Sequence, residues 1–96
     1  MKIIIRKYSG KGARELIDVL EAHKAELKPL MGSVKGLVNY TLARSGDGGY
    51  SVTVCQDQAG IDESTQKAKE WIAKNVANIS APAPEISVGE VIAHLG

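Results

Sequence analysis

The sequence predicts an α+β fold with elements in the order β-α-β-β-α-β. Three observations carry this. A β-branched run, Ile3-Ile4-Ile5, marks a strand near the start. Two segments with apolar residues at helical spacing flank a pair of strand-like segments. Between that pair lies Ser45-Gly46-Asp47-Gly48-Gly49, rich in residues that accept turn conformations, which closes a β-hairpin.

Residues 2–8 read as a strand that is apolar on both faces, as an inner strand is. Ser9-Gly10-Lys11-Gly12 breaks it. Residues 13–28 read as a helix, because Ala13, Leu16, Ile17, Leu20 and Leu27 fall on one stripe. Pro29 lacks the N–H that the ladder needs, so the helix is expected to end or bend there, with Gly32 and Gly36 leading out. Residues 37–44 read as the second strand. Residues 50–56 read as the third, with Tyr50, Val52 and Val54 on one face and Ser51, Thr53 and Cys55 on the other. Residues 61–79 read as the second helix, with Ile61, Thr65, Ala68, Ile72, Val76 and Ile79 in line. Asp62 and Glu63 suit the positive end of its dipole. Ser80-Ala81-Pro82-Ala83-Pro84 is a stiff connector, and residues 85–94 read as the last strand, with Gly89 as a candidate bulge.

Strand-helix-strand crossovers are right-handed, so two of them around a hairpin give a split βαβ arrangement. The expected architecture is a four-stranded antiparallel sheet, first and third strands innermost, with both helices on one face, forming a single domain over 1–96. The other face then stays open. The sequence reading assigns Ile4, Arg6 and Tyr8 to it and expects a homodimer through this open sheet face, because soluble monomers seldom expose a broad apolar patch.

Composition excludes several functions. The chain has 96 residues, 44% hydrophobic and 24% charged, which argues against disorder. The net charge is +1 and neither sign forms a long run, so there is no footprint for nucleic acid. The strand positions where an RNA-binding sheet carries stacking aromatics hold Ser51, Thr53 and Cys55. No segment approaches the roughly 20 apolar residues of a membrane span. The start lacks the apolar region of a secretory signal, and one cysteine makes no internal disulfide. A cytoplasmic protein is expected.

Few residues suggest chemistry. Trp71 reads as a packing aromatic or as a stacking wall for a flat ligand. His23 reads as an exposed helix histidine or as an acid–base group. Arg6 reads first as an inter-subunit salt bridge and second as an anion contact. Tyr40, Tyr8 and Tyr50 have phenols that orient a ligand or seek water. Trp71, His23, Tyr40 and Arg6 are the candidate pocket residues. His94 reads as a strand-end or dimer contact, and Cys55 as a small buried hydrophobe. No His, Asp, Glu or Cys cluster has ligand spacing, so no metal or other cofactor is expected. The loop at 9–12 lacks the spacing of either phosphate-binding glycine motif.

Element order, length and the segment Asp62-Glu63-Ser64-Thr65 through Glu70-Trp71-Ile72 resemble the dimeric α+β barrel superfamily, and within it the small antibiotic-biosynthesis-monooxygenase-like proteins. The resemblance implies a ferredoxin-like protomer whose sheets pair in a dimer. It also implies, for active members, oxidation of small aromatic or polycyclic substrates without metal or flavin. A haem-degrading branch combines a second-helix tryptophan, a first-strand asparagine and a later histidine. Here only Trp71 matches, since the first strand has Arg6 and Lys7 and no histidine lies between His23 and His94. The expected function is therefore a binding module for a small hydrophobic molecule or a partner. A cofactor-independent monooxygenase-like enzyme is the alternative.

Overall fold

The computed structural model describes residues 1–76, 78–79 and 83–95. Its elements are β1 (Lys2–Tyr8), α1 (Ala13–Ala22), α2 (Lys24–Gly32), β2 (Leu37–Ser45), β3 (Gly48–Cys55), α3 (Gln58–Asn75) and β4 (Glu85–Glu90). The strands form one antiparallel sheet in the order β2-β3-β1-β4, so the first and third strands are innermost as expected. This is the ferredoxin-like α+β fold, with three helices in place of two.

The first predicted helix is two. It breaks at His23, where φ is −107° and ψ is 19°, and not at Pro29. Pro29 sits inside α2, and Ser33 N–H still donates to its carbonyl at 3.1 Å. The bond that Pro29 cannot make would go to Ala25 four residues back, and both residues are exposed, where water serves instead. The stripe on α1 is nonetheless as read: Ala13, Leu16, Ile17 and Leu20 are all buried.

α3 begins three residues before the predicted start. Asp57 is its N-cap and accepts a hydrogen bond from Gly60 N–H at 3.1 Å. It ends at Asn75, so Ile79 lies past it. The connector reading at residues 80–82 lies outside the described residues. β4 is shorter than predicted, and its register against β1 is unbroken through Gly89, opposite Ile3. The irregularity is in β2 instead, between Leu37 and Asn39. His94 lies beyond the last strand and is exposed.

The faces of the sheet are the reverse of those expected. Ile4, Arg6 and Tyr8 point to the helices and are buried. Ile4 packs with Met31, Val34, Cys55 and Ile61. Tyr8 packs with Leu16, Ile17, Leu20 and Trp71. Register places Ser51, Thr53 and Cys55 of β3 on this covered face, and Ile3, Ile5, Tyr50, Val52 and Val54 on the open one. Steric room explains the choice. The helices lie so close that a Cβ on Gly49 would stand 2.9 Å from Ile17 Cδ1, and one on Gly60 would stand 2.8 Å from Cys55 Cβ. Small side chains on β3 therefore face the helices, and the bulky ones turn outward. Among the described residues, no helix is long and apolar enough to cross a membrane.

Candidate functional site

Between the covered face and the helices is a cavity of about 20 Å³, close to the room one water needs. The sheet contributes Arg6 and Tyr8 from β1, Tyr40 and Leu42 from β2, and Ser51 from β3. The helices contribute Leu20, Leu27, Met31, Ala68, Trp71 and Ile72. Three of the four candidate residues, Arg6, Tyr40 and Trp71, thus meet in one place. They come from elements far apart in sequence, and the antiparallel register brings them together.

Arg6 is 4% exposed. Its Nη2 donates to Thr65 Oγ1 at 2.6 Å, and Thr65 donates in turn to the Ile61 carbonyl at 3.0 Å. Among the described residues no carboxylate oxygen lies within 4.0 Å of it. The expected inter-subunit salt bridge is therefore corrected: Arg6 is on an inner strand and points into its own protomer. Tyr8 and Tyr40 share its surroundings. Burial pushes the Tyr8 phenol above its ordinary pKa, while Arg6 and the Ser51 hydroxyl pull it down. Burial also raises Tyr40, with Tyr8 adding to the rise and Arg6 opposing it. Both phenols stay protonated at neutral pH and can donate a hydrogen bond.

Trp71 is 6% exposed and closes the helical side. Its Nε1–H donates to Glu26 Oε1 at 2.9 Å, which fixes the indole from α2. His23 meets the indole edge-on, with ring centroids 5.5 Å apart and planes at 68°. His23 itself is exposed, its Nδ1 lies 2.9 Å from the Val19 carbonyl, and it does not line the cavity. It braces the tryptophan from outside.

A larger groove of about 250 Å³ lies beside the cavity, between the α1–α2 elbow and β2. Leu27, Tyr40 and Leu42 line both spaces, so they form the partition between them. The groove has an apolar floor and a charged rim of Glu21, Lys24, Lys28 and Arg44. Arg44 ties β2 to α1 through Asp18 at 2.8 Å and Glu21 at 2.9 Å. An apolar space with a few convergent polar groups is the usual form of a small-molecule site.

The remaining candidates lie elsewhere. Cys55 is buried, and burial, with Asp57 and Glu63 nearby, pushes its thiol up, so it is a packing residue and a poor nucleophile. Tyr50 is on the open face. Gly10 and Gly12 have positive φ and serve the tight turn into α1. Among the described residues, no group of three or more His, Cys, Asp or Glu is placed to hold a metal. Sequence reasoning did not find Ser51, Thr65 or Glu26. Thr65 meets Arg6 across 59 residues and Glu26 meets Trp71 across 45, and no local pattern announces either pair.

In sequence, no family model and no curated protein matches the chain. In structure, it is similar to NE2512, a protein of unknown function from Nitrosomonas europaea, with TM-score 0.71 and 20% identity over 98% of this chain and 90% of that one. It is also similar to SnoaB, a cofactor-independent oxygenase from Streptomyces nogalater, with TM-score 0.66 and 17% identity over 98% and 95%. A candidate antibiotic biosynthesis monooxygenase from Chloroflexus aurantiacus gives TM-score 0.66 and 17% identity over 99% and 96%. The chain has the ferredoxin-like fold of the antibiotic-biosynthesis-monooxygenase-like proteins, and at these identities the likeness is one of fold.

Proposed function

We propose that this protein is a small-molecule-binding module that works as a homodimer and takes a flat, largely apolar ligand between its sheet and helices. The observation that carries this reading is the cavity walled by Trp71, Tyr40, Tyr8 and Arg6, which shares Leu27, Tyr40 and Leu42 with an apolar groove beside it. In this reading, rotation of Tyr40, which lines both, opens one space to the other. The two volumes, about 20 Å³ and about 250 Å³, together fall just short of the roughly 300–1,000 Å³ usual for such sites, which suits a ligand of two or three rings.

The homodimer rests on the open face. Ile3, Ile5, Val52 and Tyr50 are half-buried there with none of the described helices above them. A second copy with the same face covers them by two-fold self-complementarity. Sedimentation at micromolar concentration should give twice 10.2 kDa, and a mass of one chain would end this part of the reading.

Trp71 is the only tryptophan, so it reports the site directly. A screen of two- and three-ring aromatics should quench its fluorescence and raise the melting temperature. A diverse set with neither effect overturns the binding reading. A second reading, a cofactor-independent monooxygenase-like enzyme, is supported by the fold shared with SnoaB. It requires oxygen uptake with an electron-rich polycyclic phenol, above the rate without protein and with nothing else added.

A further inference from the structure

A purely apolar ligand leaves one feature of the cavity without a purpose. Arg6 brings a permanent positive charge into the protein interior. Such charges are buried with a counter-charge or not at all, because desolvation is otherwise uncompensated. Among the described residues the guanidinium has one side-chain partner, and it is the neutral Thr65 hydroxyl. Its remaining donors have no carboxylate in reach. The same cavity is lined by two phenols, whose O–H groups also donate. The hydroxyls of Tyr8, Tyr40 and Ser51 around this space can donate as well as accept, and what the lining lacks is an acceptor with negative charge to face Arg6.

We propose that the ligand is an aromatic acid, with a carboxylate gripped by Arg6 and its ring system against Trp71. The planar fork of a guanidinium matches a carboxylate with two parallel bonds. Tyr8 or Tyr40 supplies a further bond to the same oxygens. The approach fits the same charge. Lys24 and Lys28 stand on the groove's rim, and among the described residues neither is held in an ion pair. The rim's Glu21 is already engaged by Arg44. An anion is thus attracted to the mouth before it meets Arg6.

This inference rests on the reading of the cavity as a ligand site, and the test separates the two. The probes are 2-naphthoate and its neutral isostere 2-naphthamide, titrated against the full chain by Trp71 fluorescence at neutral pH. The acid should bind at least about tenfold more tightly than the amide. Arg6→Met should abolish that preference while the amide still binds. Circular dichroism checks the fold of the variant; if it misfolds, Arg6→Lys, which keeps the charge but not the two-bond fork, takes its place and should weaken the preference. Equal binding of acid and amide overturns the inference and leaves the cavity reading standing. Binding of neither overturns both. A preference for the acid that survives in folded Arg6→Met, and is lost in Lys24→Ala/Lys28→Ala, places recognition at the rim and overturns the role given to Arg6.

Discussion

The two faces of the sheet divide their chemistry in an unexpected way. The face that the helices cover holds a buried arginine, a buried serine and a buried threonine: Arg6, Ser51 and Thr53. The face that none of the described helices covers holds Ile3, Ile5 and Val52 beside Lys7, Thr41 and Ser87. The covered face also carries Ile4, Tyr8 and Cys55 of the core, so its polar groups are exceptions set within an apolar surface. The difference teaches that each face is shaped by what sits on it. Close helices demand small residues beneath them, and polar groups kept dry there are costly unless they are hydrogen-bonded, as Arg6 is to Thr65. The apolar residues left outward are those that the proposed dimer removes from water.

The comparison breaks most visibly at the open face. Ile5→Asp puts a charge at the centre of that face without touching the helices. It should convert the proposed dimer to a monomer, weakening association at least about a hundredfold, since an unpaired charge in a buried interface is strongly unfavourable. The circular dichroism spectrum should be unchanged. Sedimentation velocity reads the result, and an unchanged mass would mean that the open face is not the interface.

On the covered face the largest effect belongs to Trp71. Truncation to alanine removes a packed indole and strands the Glu26 carboxylate that accepts from it. The expected loss is about 3–5 kcal/mol, typical of a buried aromatic. Urea unfolding followed by circular dichroism measures it. Trp71→Phe keeps the packing but not the Glu26 bond, and should lose about 1 kcal/mol of stability from that bond.

How much of this was legible beforehand follows from range. The hairpin, the strand order and the α1 stripe are local patterns with fixed periods, and Ala13, Leu16, Ile17 and Leu20 are buried where the spacing places them. The orientation of β1 was not legible, because Ile3-Ile4-Ile5 is equally apolar on both sides. Only the close approach of α1 to Gly49 and of α3 to Cys55 decides it. The break at His23 carries no proline or glycine, so nothing local marks it, whereas Pro29 marked a break that exposure made unnecessary. Arg6, Tyr40 and Trp71 were recognisable as unusual residues. That they share one cavity depends on strand register, and so does the exclusion of His23 from it.

The two buried phenols sharpen the contrast at high pH. The folded pKa of both Tyr8 and Tyr40 lies above the ordinary 10.0. The folded state therefore holds their protons more tightly than the unfolded chain does. Stability from this source is fully present below about pH 10 and is lost as pH rises through the folded values. Urea midpoints should fall over the alkaline range, and Tyr8→Phe/Tyr40→Phe should flatten that fall. A variant as alkali-sensitive as the parent would assign the loss to other groups.

The smallest effect tests whether polarity on the covered face is purposeful at every position. Thr53 is 0% exposed, and its hydroxyl has no hydrogen-bond partner among the described residues. It does not line the cavity, unlike Arg6 and Ser51. Thr53→Val replaces the hydroxyl with a methyl of similar size. If the hydroxyl is only buried, the change should raise stability by about 1 kcal/mol, as removing an unpaired polar group does. The urea midpoint reads the shift, with an unchanged slope. A loss of stability would mean that the hydroxyl is satisfied in solution, and would extend the polar site of the covered face from the cavity toward β3's far end.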